Sequence, residues 1–205
     1  MTAERIQEQK VLLVEGYDEK FLYEGLIDHL NLQGIQVVTF DGVCKMERAI
    51  QETVEMPGFR ELVSPSGSFG IIRDAETDAA NAFQAVEGAL VRAKLKPPSS
   101  ALTWSGRSPR IGVLIQPPCK PSGMLEDLCL EAVAANPCFH CIDALFRCVT
   151  QAGSPLPTNL SKAKAHAFLA TRDRPGLRIG EAGKKGYWHW NSPTWDSAKK
   201  FLREM

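Results

Sequence analysis

Acidic side chains follow three apolar segments of the chain, and their types and spacing suit metal-ion chemistry. Glu15 closes the first segment, Asp74 and Glu76 close another, and Glu126 follows a third after a proline-rich turn. Carboxylates packed closely together repel and shift toward the protonated form, a cost that a hard cation removes. Mg²⁺ and Mn²⁺ prefer oxygen ligands such as these carboxylates. The pattern therefore predicts a divalent-cation site able to activate a phosphodiester.

The spacing within each motif predicts where the side chains point. Residues two apart face the same way while the backbone is extended, so Asp74 and Glu76 are both expected to face Glu15. Glu19 stands four residues after Glu15 and is expected on the first turn of a helix, with Asp18 as an alternate ligand.

An alternation of strand-like and helix-like segments has to position these acids. Short apolar runs predict buried strands, and the segments between them have apolar residues at helical spacing, which predicts helices. Such alternation implies right-handed crossovers and a mostly parallel four-stranded sheet flanked by helices, an α/β fold whose site lies off the carboxyl ends of the strands. The predicted strands are 10–16, 35–40, 68–76 and 110–118, and the predicted helices between and after them are 17–30, 44–56, 77–95 and 124–135.

The chain beyond this unit is predicted to form a helical C-terminal extension. We expect an α/β domain over residues 8–135 and an extension over 136–205 packed on it, with helices near 138–153, 162–171 and 193–204 and an irregular basic segment before the last. Cys138, Cys141, Leu145 and Cys148 recur at helical steps, which predicts buried core cysteines rather than a zinc site.

Composition and charge bound the class of protein. The 205 residues are 44% hydrophobic and 23% charged, which is typical of a globular protein. No apolar run approaches the length of a signal segment or a membrane span. We therefore expect a soluble cytoplasmic protein that has no membrane partner and keeps its cysteines reduced.

The charge is unevenly distributed along the chain. Residues 1–90 hold 7 basic and 16 acidic residues, and residues 91–205 hold 17 basic and 8 acidic ones, so a net zero charge divides into −9 and +9. One interpretation is a carboxylate site in the first half and a phosphate-contacting surface in the second; the other is two solvated faces. Lys184, Lys185 and Trp188 are the candidate nucleic-acid contacts, and the alternative is that the tail aromatics pack on the sheet.

Two motifs together resemble a known domain. The run Glu15-Gly16-Tyr17-Asp18-Glu19 after one apolar strand, with Asp74-Ala75-Glu76 after another, resembles the Toprim domain of primases, topoisomerases and overcoming-lysogenization-defect (OLD-type) nucleases. The segments 123–127 and 186–188 are similar to a small stand-alone Toprim-like family related to those nucleases. The chain has Glu76 where the Toprim pattern has a second aspartate.

The resemblance implies a Toprim-like fold and a role for each candidate residue. Glu15 would be a metal ligand or proton-transfer group, and Asp74 and Glu76 would be metal ligands. Glu19, Asp18 and Glu126 would be additional acids, and Lys120 is the candidate for the lysine that the nucleases use near the site.

The leading hypothesis is a Mg²⁺- or Mn²⁺-dependent nuclease that acts on DNA or RNA, with a homodimer suggested by the resemblance alone. The second is a non-catalytic module that binds metal, nucleic acid or nucleotide within a larger defence or repair complex. The third is an interaction domain whose acidic cluster is incidental. For individual acids the alternatives are helix capping for Glu15 and Asp74, a favourable helix-dipole position for Glu126, and a solvated helix face for Asp18 and Glu19.

Overall fold

Four parallel strands form the centre of the computed structural model, which describes residues 5–39, 46–106 and 108–205. Within these ranges the strand order is β2-β1-β3-β4, and every pairing is parallel. Each strand is a nearly continuous apolar run, as expected of strands buried on both faces. The strands are β1 (Lys10–Val14), β2 (Ile35–Thr39), β3 (Ser68–Asp74) and β4 (Arg110–Gln116).

Alternate residues of each strand face opposite sides of the sheet, and each side has its own core. On one side, Leu13 and Ile71 pack with α2 (Met46–Glu55) and α4 (Ala79–Arg92). A π-helical turn at Phe59–Val63 and the short α3 (Ser64–Ser66) precede β3 on this side. Asp78 caps α4 by accepting hydrogen bonds from the backbone N–H groups of Ala80 and Asn81.

The other side of the sheet is covered by the first helix and by helices from the C-terminal part of the chain. They are α1 (Tyr17–His29), α5 (Leu125–Ala132), α6 (Phe139–Gln151), α7 (Leu160–Ala170), α8 (Ile179–Lys184) and α9 (Asp196–Arg203), the last preceded by a 3-10 turn at Pro193–Trp195. Leu12, Val14 and Leu114 share a core with residues of α1, α5, α7 and α9.

The predicted fold class is confirmed: the protein is α/β, with a four-stranded parallel sheet flanked by helices and a C-terminal helix, consistent with a Rossmann-like fold. The boundary between 135 and 136 stays a prediction. Helix α8 occupies part of the tail segment that the sequence indicated to be irregular. Among the described residues, no helix is both long and apolar enough to cross a membrane, and the compartment stays a prediction.

The prediction of buried core cysteines was wrong for Cys141 and Cys148 on α6, whereas Cys138, just before the helix, packs partly against the core. Cys141 and Cys148 are exposed, and half of the Leu145 surface (50%) is open to solvent. The helix carries a second apolar stripe in which Ile142 is buried and Phe139 and Phe146 pack partly against the core. The bulkier stripe faces inward, since it buries more apolar surface than thiols do.

Candidate metal centre

The carboxyl ends of β1 and β3 bring three acids together. One carboxylate oxygen from each of Glu15, Asp74 and Glu76 lies within 4.8 Å of the other two. Parallel pairing of β1 with β3 puts both strand ends at the same edge of the sheet, so residues distant in sequence become neighbours. The three acids differ in burial: Asp74 is buried, Glu15 is partly buried and Glu76 is exposed. The cluster is open to a ligand on the side of Glu76.

Asp74 is held by donors on a single oxygen. Its Oδ1 accepts a hydrogen bond of 2.7 Å from Gln116 Nε2 and one of 3.1 Å from the Leu125 N–H at the start of α5. Only 8% of the residue is exposed. Both recorded hydrogen bonds fall on Oδ1, so Oδ2 is the oxygen available to a cation.

Glu15 is fixed from the β3 side. Its Oε2 lies 3.4 Å from the Asp74 N–H, and its Oε1 lies 3.7 Å from Arg73 Nε. Arg73 Nε is buried and makes no hydrogen bond in the described structure. The guanidinium therefore contributes charge to the inner side of the cluster.

Glu76 reaches the cluster by a route that the sequence did not predict. Its backbone is not extended but left-handed, with φ of 52°. Reciprocal backbone hydrogen bonds of 2.8 Å join Glu76 to Gly123, which stands just before α5. The turn, rather than strand alternation, directs this carboxylate toward Glu15 and Asp74.

Glu19 and Asp18 occupy the first turn of α1 and have different surroundings. A Cβ on Gly16 would lie 2.9 Å from Glu19 Oε2, so the glycine of the motif leaves space for this carboxylate. Asp18 Oδ1 accepts a hydrogen bond of 3.0 Å from the Gly180 N–H, which ties α1 to α8. This contact gives Asp18 a structural partner outside the three-carboxylate cluster.

Glu126 lies on the first turn of α5 and is 8% exposed. Its nearest recorded cation is Lys162 on α7, with 3.8 Å between Nζ and Oε1. Lys162 itself is 53% exposed, so solvent screens this pair.

Burial and mutual repulsion raise the pKa values of the inner acids. Burial raises the pKa of Asp74 well above its usual range, and Glu19, Glu15 and Glu126 add to the rise against the opposing hydrogen bond from Gln116. Burial likewise raises the pKa of Glu19 to about 7, with further contributions from Glu15, Asp18 and Glu126. Burial also raises the pKa of Glu15, although the Asp74 N–H and Arg73 counteract it. A bound cation would relieve all three.

The residues present fit a divalent ion. The donor set is made of carboxylate oxygens, which hard cations prefer. Two oxygens on opposite sides of one Mg²⁺ are about 4.2 Å apart, given Mg–O distances of about 2.1 Å. Three ligands can include only one such opposite pair, and neighbouring ligands are about 3.0 Å apart, so the cluster oxygens, which lie within 4.8 Å of one another, would draw closer together around an ion.

The predicted cationic and aromatic contacts are placed less favourably. Lys120 Nζ lies 3.4 Å from Glu131 Oε1, so its recorded partner is on α5 rather than in the cluster. Lys185 is exposed, while Lys184 pairs with Glu24 at 2.8 Å. Trp188 is 0% exposed, stacks on Phe168 and donates to the Ile179 carbonyl. Its ring has no open face for a base, so the prediction for Trp188 was wrong.

Sequence reasoning missed Gln116, Tyr23 and Arg73. Gln116 is the last residue of β4 and pairs in register with Asp74, so the strand-end rule that found the acids also applied to it. Arg73 directly precedes Asp74 at the end of β3, so the same rule applied to it. Nothing local marks Tyr23, which reaches the site from the middle of α1.

Comparison with protein families gives one assignment. A family described as "Protein of unknown function (DUF3226)" matches residues 9–205, which include every candidate site residue. The chain belongs to this family. No curated protein and no solved structure matches the chain. The family match therefore spans the whole candidate site.

Proposed function

We propose that this DUF3226 protein is a Toprim-type enzyme that uses Mg²⁺ or Mn²⁺ for phosphoryl transfer on nucleic acid, most simply phosphodiester hydrolysis. One observation carries the proposal: carboxylate oxygens of Glu15, Asp74 and Glu76 lie within 4.8 Å of one another at the carboxyl edge of a parallel sheet. This is the edge where α/β sheets hold their ligands.

Glu15, Asp74 and Glu76 would hold the ion. When bound, it supplies positive charge to the phosphodiester and lowers the pKa of a coordinated water. Glu19, whose charge acts on Glu15 and Asp74 although it is not one of the three clustered carboxylates, would take or give a proton beside the ion. Glu126 adds negative charge beside Asp74, and the exposed Lys162 lies 3.8 Å from it.

Positive charge for the transferred phosphoryl group would come from a lysine at the rim. Lys120 was the candidate from the sequence, but Lys162 lies beside an acid of the site and Lys120 beside Glu131. The geometry therefore favours Lys162 for this role, with Lys184 and Lys185 as contacts for more distant phosphates of DNA or RNA.

Calorimetric titration of Mn²⁺ and Mg²⁺ into the wild type and Asp74→Asn tests the metal site. Asparagine keeps an Oδ1 acceptor for Gln116 and Leu125 but removes the charged ligand, so we expect binding to wild type and none detectable to the variant. Asp78→Asn is the matched control, because asparagine caps a helix as well as aspartate does and Asp78 lies outside the cluster.

Cleavage of supercoiled, linear and single-stranded DNA and of RNA, with and without Mn²⁺, then tests the activity. We expect wild type and Asp78→Asn to cleave and Asp74→Asn to be inactive. Cleavage by Asp74→Asn at the wild-type rate would rule out this assignment.

A second candidate function is a non-catalytic module that holds metal and nucleic acid or nucleotide within a larger defence or repair complex. The pairing of Lys120 with Glu131 favours it, because this lysine is then not directed to a phosphoryl group. Metal-dependent binding of an oligonucleotide without any product would support it. If metal changes neither binding nor thermal stability, the third alternative, an interaction domain with an incidental acidic cluster, is favoured.

A further inference from the structure

A chain of buried hydrogen bonds runs from α1 through β4 to the metal cluster. Tyr23 Oη donates to Gln116 Oε1 over 2.7 Å, and Gln116 Nε2 donates to Asp74 Oδ1 over 2.7 Å. Tyr23 and Gln116 are 0% exposed and Asp74 is 8% exposed. These two hydrogen bonds therefore link three side chains that are almost fully buried.

The chemistry of the groups fixes the direction of each bond. The ionised carboxylate, which is the form that binds a cation, only accepts hydrogen bonds, so the Gln116 amide must present Nε2 to Asp74. Its Oε1 then faces Tyr23, whose hydroxyl must donate. The Tyr23 hydroxyl therefore determines which end of the Gln116 amide meets the carboxylate. A phenylalanine would fill the same space without this effect.

Asp74 is consequently restrained through one oxygen. Gln116 Nε2 and the Leu125 N–H both donate to Oδ1, from β4 and from the start of α5. In-register pairing of Asp74 with Gln116 makes the two residues direct cross-strand neighbours, so the bond needs no movement of the backbone. The carboxylate cannot rotate to offer both oxygens to one ion without losing these bonds.

We infer, on the basis of the proposed function, that Tyr23 and Gln116 are positioning residues that restrict Asp74 to one ligand oxygen and so bias the site toward Mg²⁺ and Mn²⁺ over Ca²⁺. Mg²⁺ demands near-octahedral geometry with single oxygens, whereas Ca²⁺ takes six to eight ligands and readily accepts a bidentate carboxylate. Groups that orient metal ligands in this way typically change affinity about 10–100-fold when they are removed.

The test compares ion selectivity in the full-length chain. Mg²⁺, Mn²⁺ and Ca²⁺ are titrated by calorimetry into wild type, Tyr23→Phe and Gln116→Met. We expect Mg²⁺ and Mn²⁺ to bind about tenfold more weakly to both variants, with Ca²⁺ unchanged or tighter, so that the ratio of Mg²⁺ to Ca²⁺ affinity falls about tenfold.

Thr53→Val is the matched control. Thr53 is 1% exposed and its hydroxyl donates to the Ala49 carbonyl over 2.7 Å, in the core on the opposite side of the sheet. The variant loses one buried hydrogen bond of the same length as that of Tyr23, so it controls for general loss of stability. Its ion affinities and their ratio should equal those of wild type.

The outcomes are separable. Equal weakening of all three ions in Tyr23→Phe and Gln116→Met would reduce the network to a structural role and overturn the inference. Wild-type affinities in both variants would overturn it and leave the proposed function standing. Absence of metal binding in wild type would overturn both. If Tyr23→Phe fails to fold, Gln116→Met decides by the same ratio.

Discussion

Individual carboxylates of the cluster are held in surroundings that oppose their charge. Burial raises the pKa values of Asp74, Glu19 and Glu15, and the acids raise one another's further. In the metal-free protein, ionisation of these groups therefore lowers the free energy of unfolding. A cation bound as proposed would gain affinity from relief of this repulsion.

Glu19 should make the metal-free protein less stable as the pH rises. Its pKa is about 7 when folded and 4.5 ordinarily, so the folded chain binds this proton more tightly than the unfolded chain. The contribution to stability is fully present below pH 4.5 and is lost as the pH rises toward 7, with a size on the order of 3 kcal/mol. Urea unfolding in EDTA between pH 5 and 8 measures it.

Glu19→Gln should remove this part of the decline and be the more stable protein at pH 8. Glu52→Gln, which changes an exposed glutamate of α2, should keep the wild-type slope. Parallel curves for wild type and Glu19→Gln would show that the carboxylate ionises as freely in the folded chain as in the unfolded one.

The sequence predicted the acids of the site better than the groups that orient them. Glu15 and Asp74 follow from the rule that parallel strands end at one edge. Glu76 lies where expected, but because of a left-handed turn that a two-residue spacing does not encode. Tyr23 was out of reach, because its role depends on how α1 packs across the sheet.

At the scale of elements, the close approach of α1 and α8 joins the site to the C-terminal part of the chain. A Cβ on Gly180 would lie 2.1 Å from the Asp18 carbonyl oxygen, and one on Gly25 would lie 3.1 Å from the Lys184 backbone nitrogen. Two glycines, one on each helix, therefore allow the backbones of α1 and α8 to approach closely. The first turn of α1, which carries Glu19, is thereby fixed by α8.

Gly180→Ala should destabilise the protein by about 1–3 kcal/mol, because the added methyl group meets backbone that has to move. It should also weaken Mn²⁺ binding through displacement of the first turn of α1. Gly176→Ala is the control, since a Cβ there meets nothing within 4 Å. Urea unfolding and calorimetry measure the two effects, and equal stability of both variants would contradict the packing described for α1 and α8.

The elements of the first 135 residues were predictable because apolar periodicity is strong there. The structure of residues 136–205 was harder to predict, since α6 has two apolar stripes and only packing decides which of them is buried. Helix α8 has six residues and two glycines, which give little helical signal in isolation. Its contact with α1 stabilises what local propensity does not.

At the scale of the whole molecule, the two sides of the sheet differ in how they are built. The side that packs α2 and α4 uses neighbouring parts of the chain, whereas the other side combines α1 with helices from the C-terminal part. Phe201 stacks on Trp104 with ring centroids 4.7 Å apart, and Arg110 Nη1 donates to the Glu204 carbonyl over 2.9 Å. Acidic and basic halves of the sequence also meet, as in the pairs Arg92–Glu47 and Lys184–Glu24.

A chain that ends at Ala135 should therefore not unfold cooperatively. It would expose Leu12, Val14 and Leu114, which share their core with Trp188, Trp195 and Phe201. Circular dichroism with urea and gel filtration would detect the loss of a single transition and an expanded or aggregated chain. A cooperative transition would instead establish residues 8–135 as an independent domain.

Two point variants separate this effect from truncation itself. Phe201→Ala in the full chain should cost about 3–5 kcal/mol, because the side chain is buried. Leu145→Ala, on the exposed stripe of α6, should cost less than about 0.5 kcal/mol.

The left-handed backbone at Glu76 places stability in competition with the proposed metal site for one position. A residue with a Cβ costs about 1–2 kcal/mol in this conformation, and glycine avoids the cost. A laboratory selection for heat resistance alone would therefore enrich glycine or asparagine at position 76 and discard one carboxylate of the cluster. Libraries built to engineer this protein need to hold that position constant, or to be screened for metal binding in the same round.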